Sequence, residues 1–188
     1  MKIGVLSDTH GYYDPRLVKL LQGVDAIIHA GDAGSRSVLE ELSLIAHVEA
    51  VRGNVDSPDL GLPLTRILHW EEVQIEVLHI LPVSQAQLEQ WSARPARSHA
   101  ESQRRDRFLK SFDPATQMVV FGHSHQPCLR ILEPRLFVNP GSAGKQRFSL
   151  PRCCAVMNVS AGRVAVKIVA LQDYNQVVLE SVELTFGE

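Results

Sequence analysis

Seven residues of this chain have types and spacings suited to holding divalent cations. Asp8 and His10 stand two apart after an apolar run, so in extended backbone their side chains share a face and can grip one ion. His123 and His125 repeat that spacing after a later apolar run. Asp32 closes another run and offers a carboxylate able to bridge two metals, Asn54 offers a neutral amide oxygen, and His79 adds an imidazole. Two carboxylates, one amide and four imidazoles suit borderline divalent ions such as Mn, Fe, Co, Ni or Zn. Gly11, Gly31, Gly53 and Gly122 lie beside these residues, where the backbone can turn sharply. One strand-end Asp or His is ordinarily a cap or a solvated turn residue. Seven of the right types, each at a strand terminus, make a metal centre the better reading.

The elements that must position them alternate along the chain. Residues 2–7 read as a short buried strand, followed by a helix over 14–22 with Asp14 as N-cap and Pro15 at the first helical position. Residues 25–30 form a second strand. Ser37-x-x-Glu40 resembles a capping box and opens a helix to about Ile45, and 48–51 form a third strand. This order implies parallel pairing, and in such sheets ligands sit at the carboxyl ends of the strands. Residues 64–70 and 73–80 read as a hairpin around Glu71-Glu72, and 82–112 as polar, basic and helical in part, interrupted at Pro95. Strands follow over 117–121, 129–132, 136–138, 153–159, 164–171 and 177–184, giving a β-meander in the last third. The sum predicts two packed sheets flanked by helices, in one domain over 1–188.

With 188 residues, 45% of them hydrophobic and 21% charged, the chain is ordinary for a soluble globular protein. The N-terminus lacks the long apolar core of a signal peptide, and no apolar stretch reaches the length of a membrane span. Cys128, Cys153 and Cys154 cannot all pair; reduced thiols in a cytoplasmic compartment fit better, with Cys153 and Cys154 packing on alternate faces of a strand. A net charge of −2 and a pI near 6.4 argue against a polyanion partner, so no nucleic acid is expected and a discrete small substrate is the better default.

Asp8-x-His10, Gly31-Asp32, Gly53-Asn54-x-Asp56, His79 and Gly122-His123-x-His125 resemble, in order, the signature of the calcineurin-like metallophosphoesterases. The chain length and Asn139-Pro140-Gly141-Ser142 look like the small bacterial and archaeal phosphodiesterase branch. The resemblance implies an α/β (α+β) fold, a four-layer αββα sandwich of two mixed sheets. It implies two divalent metal ions, manganese foremost with Fe, Ni, Co or Zn as alternatives. Asp8, His10, Asp32 and His125 would hold one, and Asp32, Asn54, His79 and His123 the other, with Asp32 as the bridge. It also implies hydrolysis of a phosphodiester by in-line attack of a metal-bridging hydroxide, with Asp8, Asp32, Asn54 and His123 as catalytic residues.

This chain departs from the family pattern in two places. Val55 stands where many members carry a histidine that assists the leaving group, and Val55 can neither give nor take a proton. Ile80 stands where a glycine usually follows the histidine matched by His79, which alters the adjoining loop. Asp56 and Ser142 read as orienting partners of the ligands. Arg104 and Arg105, in the basic stretch from Arg94 to Arg107, read first as a solvated helix face and second as candidates for holding a distal phosphate. His69 reads as an ordinary strand residue. A eukaryotic retromer subunit resembles the same branch yet serves in protein assembly, so a scaffold with little activity is the alternative function. Homo-oligomerisation stays open.

Overall fold

The apolar run at the N-terminus becomes a strand, β1 (Lys2–Leu6), whose last four residues are buried. Ile3 and Val5 enter the core between two sheets while Leu6 enters a second core on the opposite face. A strand covered on both faces has no need of polar alternation, which is why this segment reads as continuously apolar. The computed structural model describes residues 1–147, 149–171 and 177–186. After β1 come α1 (Arg16–Leu20), β2 (Ala26–His29), α2 (Arg36–Ser43), β3 (His47–Ala50), β4 (Thr65–Trp70), β5 (Val73–Leu78), α3 (Gln85–Ser92) and α4 (His99–Leu109). The remaining strands are β6 (Met118–Val120), β7 (Cys128–Leu132), β8 (Arg135–Asn139), β9 (Cys153–Ser160), β10 (Arg163–Ala170) and β11 (Val177–Thr185).

A six-stranded sheet has the order β11-β10-β9-β1-β2-β3, and a five-stranded sheet the order β4-β5-β6-β8-β7. β1, β2 and β3 pair in parallel, with Ile3 opposite Ala26 and Ala26 opposite His47. β5, β6 and β8 are likewise parallel, while β9, β10 and β11 form the antiparallel meander attached to the free side of β1. The predicted meander is therefore confined to these three strands. β7 and β8 pair as a hairpin in the other sheet.

Three apolar clusters define the layers. Ile3, Val5, Ile28, Ile75, Met118, Val138 and Met157 pack between the two sheets. Leu17, Leu21, Val38 and Leu42 cover the outer face of the six-stranded sheet against Leu6, Ile27 and Cys154. Leu88, Trp91, Phe108 and Phe112 cover the outer face of the other against Phe121 and Phe137. The result is the expected four-layer αββα sandwich. Cys153 faces the inter-sheet core and Cys154 the outer one, as strand alternation requires, and burial pushes the thiols of Cys128 and Cys153 up to about 12.

Local details correct several sequence expectations. α1 is shorter than 14–22: Asp14 lies before it, accepting the Arg16 amide at 2.9 Å, and Pro15 rather than Asp14 holds the N-cap position. α2 begins at Arg36 with Ser35 as its N-cap in extended conformation, so Ser37 falls inside the helix and makes no capping box. Ser84 and Ser98 do cap α3 and α4, accepting the amides of Gln87 and Glu101, each at 3.2 Å. The β4–β5 hairpin turns at Glu71 and Glu72, whose φ values of 48° and 67° are those of a two-residue turn matched to strand twist.

Candidate metal centre

The parallel strands of both sheets end at one edge, and each of the seven residues predicted to hold metal follows one of those ends. Asp8 comes after β1, Asp32 after β2, Asn54 after β3, His79 after β5, and His123 and His125 after β6. The loops are laced together by backbone bonds from Asp8 to Gly31 and from His10 to Asp32, both at 3.0 Å. The backbone is not the extended chain assumed for Asp8 and His10. Asp8, His10, Asp32, His123 and His125 all have positive φ, between 48° and 71°. Each such residue costs about 1–3 kcal/mol and persists only where its surroundings over-determine it. A row of five at one strand edge is the backbone signature of a functional site. Gly53 is needed there by space alone, because a Cβ would lie 2.0 Å from Asp32 Oδ1.

The side chains form two adjoining groups. In the first, Nε2 of His125 and of His10 lie 3.3 Å and 3.8 Å from Asp8 Oδ1, and 3.1 Å from each other. In the second, Asn54 Oδ1 lies 3.1 Å from His79 Nε2 and 3.0 Å from His123 Nδ1, and His79 Nε2 lies 3.2 Å from Asp32 Oδ2. The groups touch through His10 Nε2 to Asp32 Oδ2 at 3.9 Å and His79 Nε2 to Asp8 Oδ1 at 4.0 Å.

The arrangement is rich in acceptors. His79 Nδ1 faces the Ala30 carbonyl at 2.8 Å and so carries a hydrogen, which turns Nε2 toward the oxygens of Asn54 and Asp32. Asp8 Oδ1 is buried with no hydrogen-bond donor. Lone pairs converging in a buried pocket are unfavourable unless a positive charge sits among them. This donor set fits divalent cations. Its electrostatics agree: burial would lower His79, but Asp32 and the Ala30 carbonyl outweigh it and raise its pKa. Burial would raise Asp8, but His125 and Ser7 outweigh it, and Asp32 is likewise held low against burial by His79 and the Val55 amide. His10 is lowered by burial and then by the Arg147 guanidinium.

Buried polar groups behind the site hold these side chains. Asp56 accepts the amides of Gly34 at 2.7 Å, Gly53 at 2.9 Å and Ala33 at 3.2 Å, joining the β2 and β3 loops. Ser142 donates to the Asp8 carbonyl at 2.9 Å. Sequence reasoning passed over Ser7, Thr9 and His29, and noted Asn139 only as part of a motif, without a role. Ser7 donates to Asp8 Oδ2 at 2.6 Å, and the amide of Asn139 donates to the Gly122 carbonyl at 3.0 Å. Thr9 gives its one hydroxyl hydrogen to Ala33, so the fully buried His29 donates from Nε2 to Thr9 at 2.9 Å, with burial lowering its pKa to about 4. These residues occur in ordinary strand-end contexts and carry no spacing signal. Arg104 and Arg105 are engaged locally instead, with the Ala100 carbonyl and with Glu101 and the Arg94 carbonyl. His69 lies on β4 and contacts Gln74.

A family model described as the calcineurin-like phosphoesterase superfamily domain matches residues 1–162. The chain belongs to this superfamily. A probable metallophosphoesterase of Methanocaldococcus jannaschii is 32% identical over 159 residues, 81% of this chain and 71% of that protein. A phosphodiesterase of the same organism is 25% identical over 186 residues, covering 96% of this chain and 100% of that one. The solved structure of Vps29 complexed with Zn²⁺ from Entamoeba histolytica shares the fold, with a TM-score of 0.70 at 18% identity and 100% of both chains covered. As a calcineurin-like phosphoesterase, the chain is a hydrolase of the metallophosphoesterase class, with Asp8, His10, Asp32, His79 and His125 as candidate metal-binding groups. No helix among the described residues is long and apolar enough to cross a membrane.

Proposed function

We propose that the chain is a dinuclear-metal-dependent phosphodiesterase acting on small phosphate diesters, with all of its machinery in one domain. The observation that carries this reading is the convergence of the imidazole nitrogens of His10, His79 and His125 on the buried Asp8 Oδ1, which has no hydrogen-bond partner. Asp8, His10, Asp32 and His125 would hold one ion, and Asp32, Asn54, His79 and His123 the other, with manganese the first metal to try. The bound ions would lower the pKa of water to supply a nucleophile near neutrality and offset charge on the phosphoryl oxygens.

The chain's own residues keep the ligands in place and decide which esters react. Ala30 fixes the His79 ring so that Nε2 faces the ligand cluster. Asp56 fixes the loops bearing Asp32 and Asn54. At the position next to Asn54, Val55 gives its backbone amide to Asp32 Oδ1 at 3.0 Å and presents an apolar, exposed side chain. It supplies no proton to a departing alkoxide, so esters of acidic alcohols are favoured.

The test is turnover of bis(4-nitrophenyl) phosphate by metal-reconstituted protein beside a His123→Ala control. Turnover that the substitution abolishes supports the reading. No turnover with any of the five metals contradicts it, and leaves the scaffold alternative that the Vps29 fold suggests.

A further inference from the structure

Resting on the phosphodiesterase reading, we propose that Arg52 is a specificity-determining residue, selecting phosphodiesters in which one ester arm joins an apolar body to a terminal anion. Two cavities flank the metal-ligand cluster. One, of about 510 Å³, is lined by Arg52, Asn54, Leu64, Leu78, His79 and Ile80 among others. The other, of about 430 Å³, is lined by Leu81, Gln85, Phe121, His123 and Ser124 among others, and also by Ile80. Ile80 therefore stands as a wall between two compartments, one reaching His79 and Asn54 and the other reaching His123. A phosphodiester has two ester oxygens on one phosphorus. With phosphorus at the cluster, one arm enters each compartment.

The larger compartment has a distinct chemistry. Leu64 and Ile80 are 61% and 47% exposed, so its apolar wall is uncovered. Its volume suits a substituted aromatic ring. Arg52 is half-buried, and its guanidinium has no hydrogen-bond or ion-pair partner among the described residues. Neighbouring arginines are engaged: Arg66 pairs with Glu49 at 2.6 Å, and Arg36 donates to the Asp59 carbonyl at 2.9 Å. The one anion among the lining residues, Asp56, already accepts three backbone amides. A guanidinium without a counter-charge, lining a cavity that ends at the metal ligands, recognises an anionic group on the substrate arm.

Two diesters with the same leaving group separate the arm from the chemistry: 4-nitrophenyl phenyl phosphate and 4-nitrophenyl 4-carboxyphenyl phosphate. The metal-loaded wild type is expected to favour the carboxylated diester about tenfold in kcat/KM, as a charge-assisted hydrogen bond allows. Arg52→Gln should bring that ratio near one, and Arg52→Lys should retain part of it. Calorimetric binding of benzylphosphonate and 4-carboxybenzylphosphonate, whose C–P bonds resist hydrolysis, should show the same pattern without turnover. Equal handling of the two members by the wild type, or a preference that survives Arg52→Gln, overturns the role of Arg52. Hydrolysis of neither diester overturns the phosphodiesterase reading instead, and the phosphonate pair still decides the role of Arg52.

Discussion

His79 Nδ1 lies 2.8 Å from the Ala30 carbonyl oxygen, and that one contact determines which face of the ring meets the candidate metal centre. With Nδ1 as donor, Nε2 is directed at Asn54 and Asp32. His79→Gln keeps a polar side chain but loses the aimed imidazole nitrogen. It should lower affinity for one ion by about 10–100-fold or more, as disrupting a metal site's ligand support typically does. Elemental analysis after desalting should then find fewer ions per chain than in the wild type.

Val55 predicts a strong leaving-group dependence. Without a proton donor beside Asn54, rates should fall steeply as the pKa of the departing alcohol rises, and aryl diesters should greatly outrun alkyl ones. A series of substituted phenyl diesters gives the slope directly. Equal rates across the series would show that another group protonates the leaving oxygen.

Asp56 is 7% exposed and accepts three amides from two loops. Asp56→Ala strands those donors and should cost about 2–3 kcal/mol in urea unfolding, with metal affinity falling as well. Unchanged metal affinity would mean that the loops hold their shape without it.

Asp14 is 1% exposed and is gripped by Arg16 at 2.7 Å and by Arg152. Burial opposes its ionisation, but the two arginines outweigh it and hold the carboxyl down from 3.8 to about 2. The unfolded chain therefore binds this proton more readily than the folded one. The contribution, roughly 2 kcal/mol, is fully present above about pH 4 and is lost as pH falls toward 2. Asp14→Asn should reduce stability at neutral pH and flatten the acid limb between pH 4 and 2, measured by denaturant titration.

The sequence made the site legible because polar residues that interrupt apolar strands are conspicuous. Asp8, Asp32, Asn54 and His123 each end such a run, and parallel topology carries those ends to one edge. The backbone there was not legible. Asp and His tolerate the left-handed region better than most residues, but Asp8-Thr9-His10 does not by itself announce that both adopt it. The capping box read at Ser37 failed for a related reason: Ser37 lies inside α2, and the residue at its N-cap position is Ser35, in extended conformation. His29 and Asn139 act through buried hydrogen bonds between segments far apart in sequence, a relation that spacing alone does not encode.

Calorimetric titration of metal-stripped protein with Mn²⁺, run beside Asp32→Asn, tests the two-ion centre most directly. Two ions per wild-type chain are predicted, with the substitution weakening both because Asp32 would bridge them. Binding of no ion, or tight binding of two ions that Asp32→Asn leaves unaltered, would contradict it.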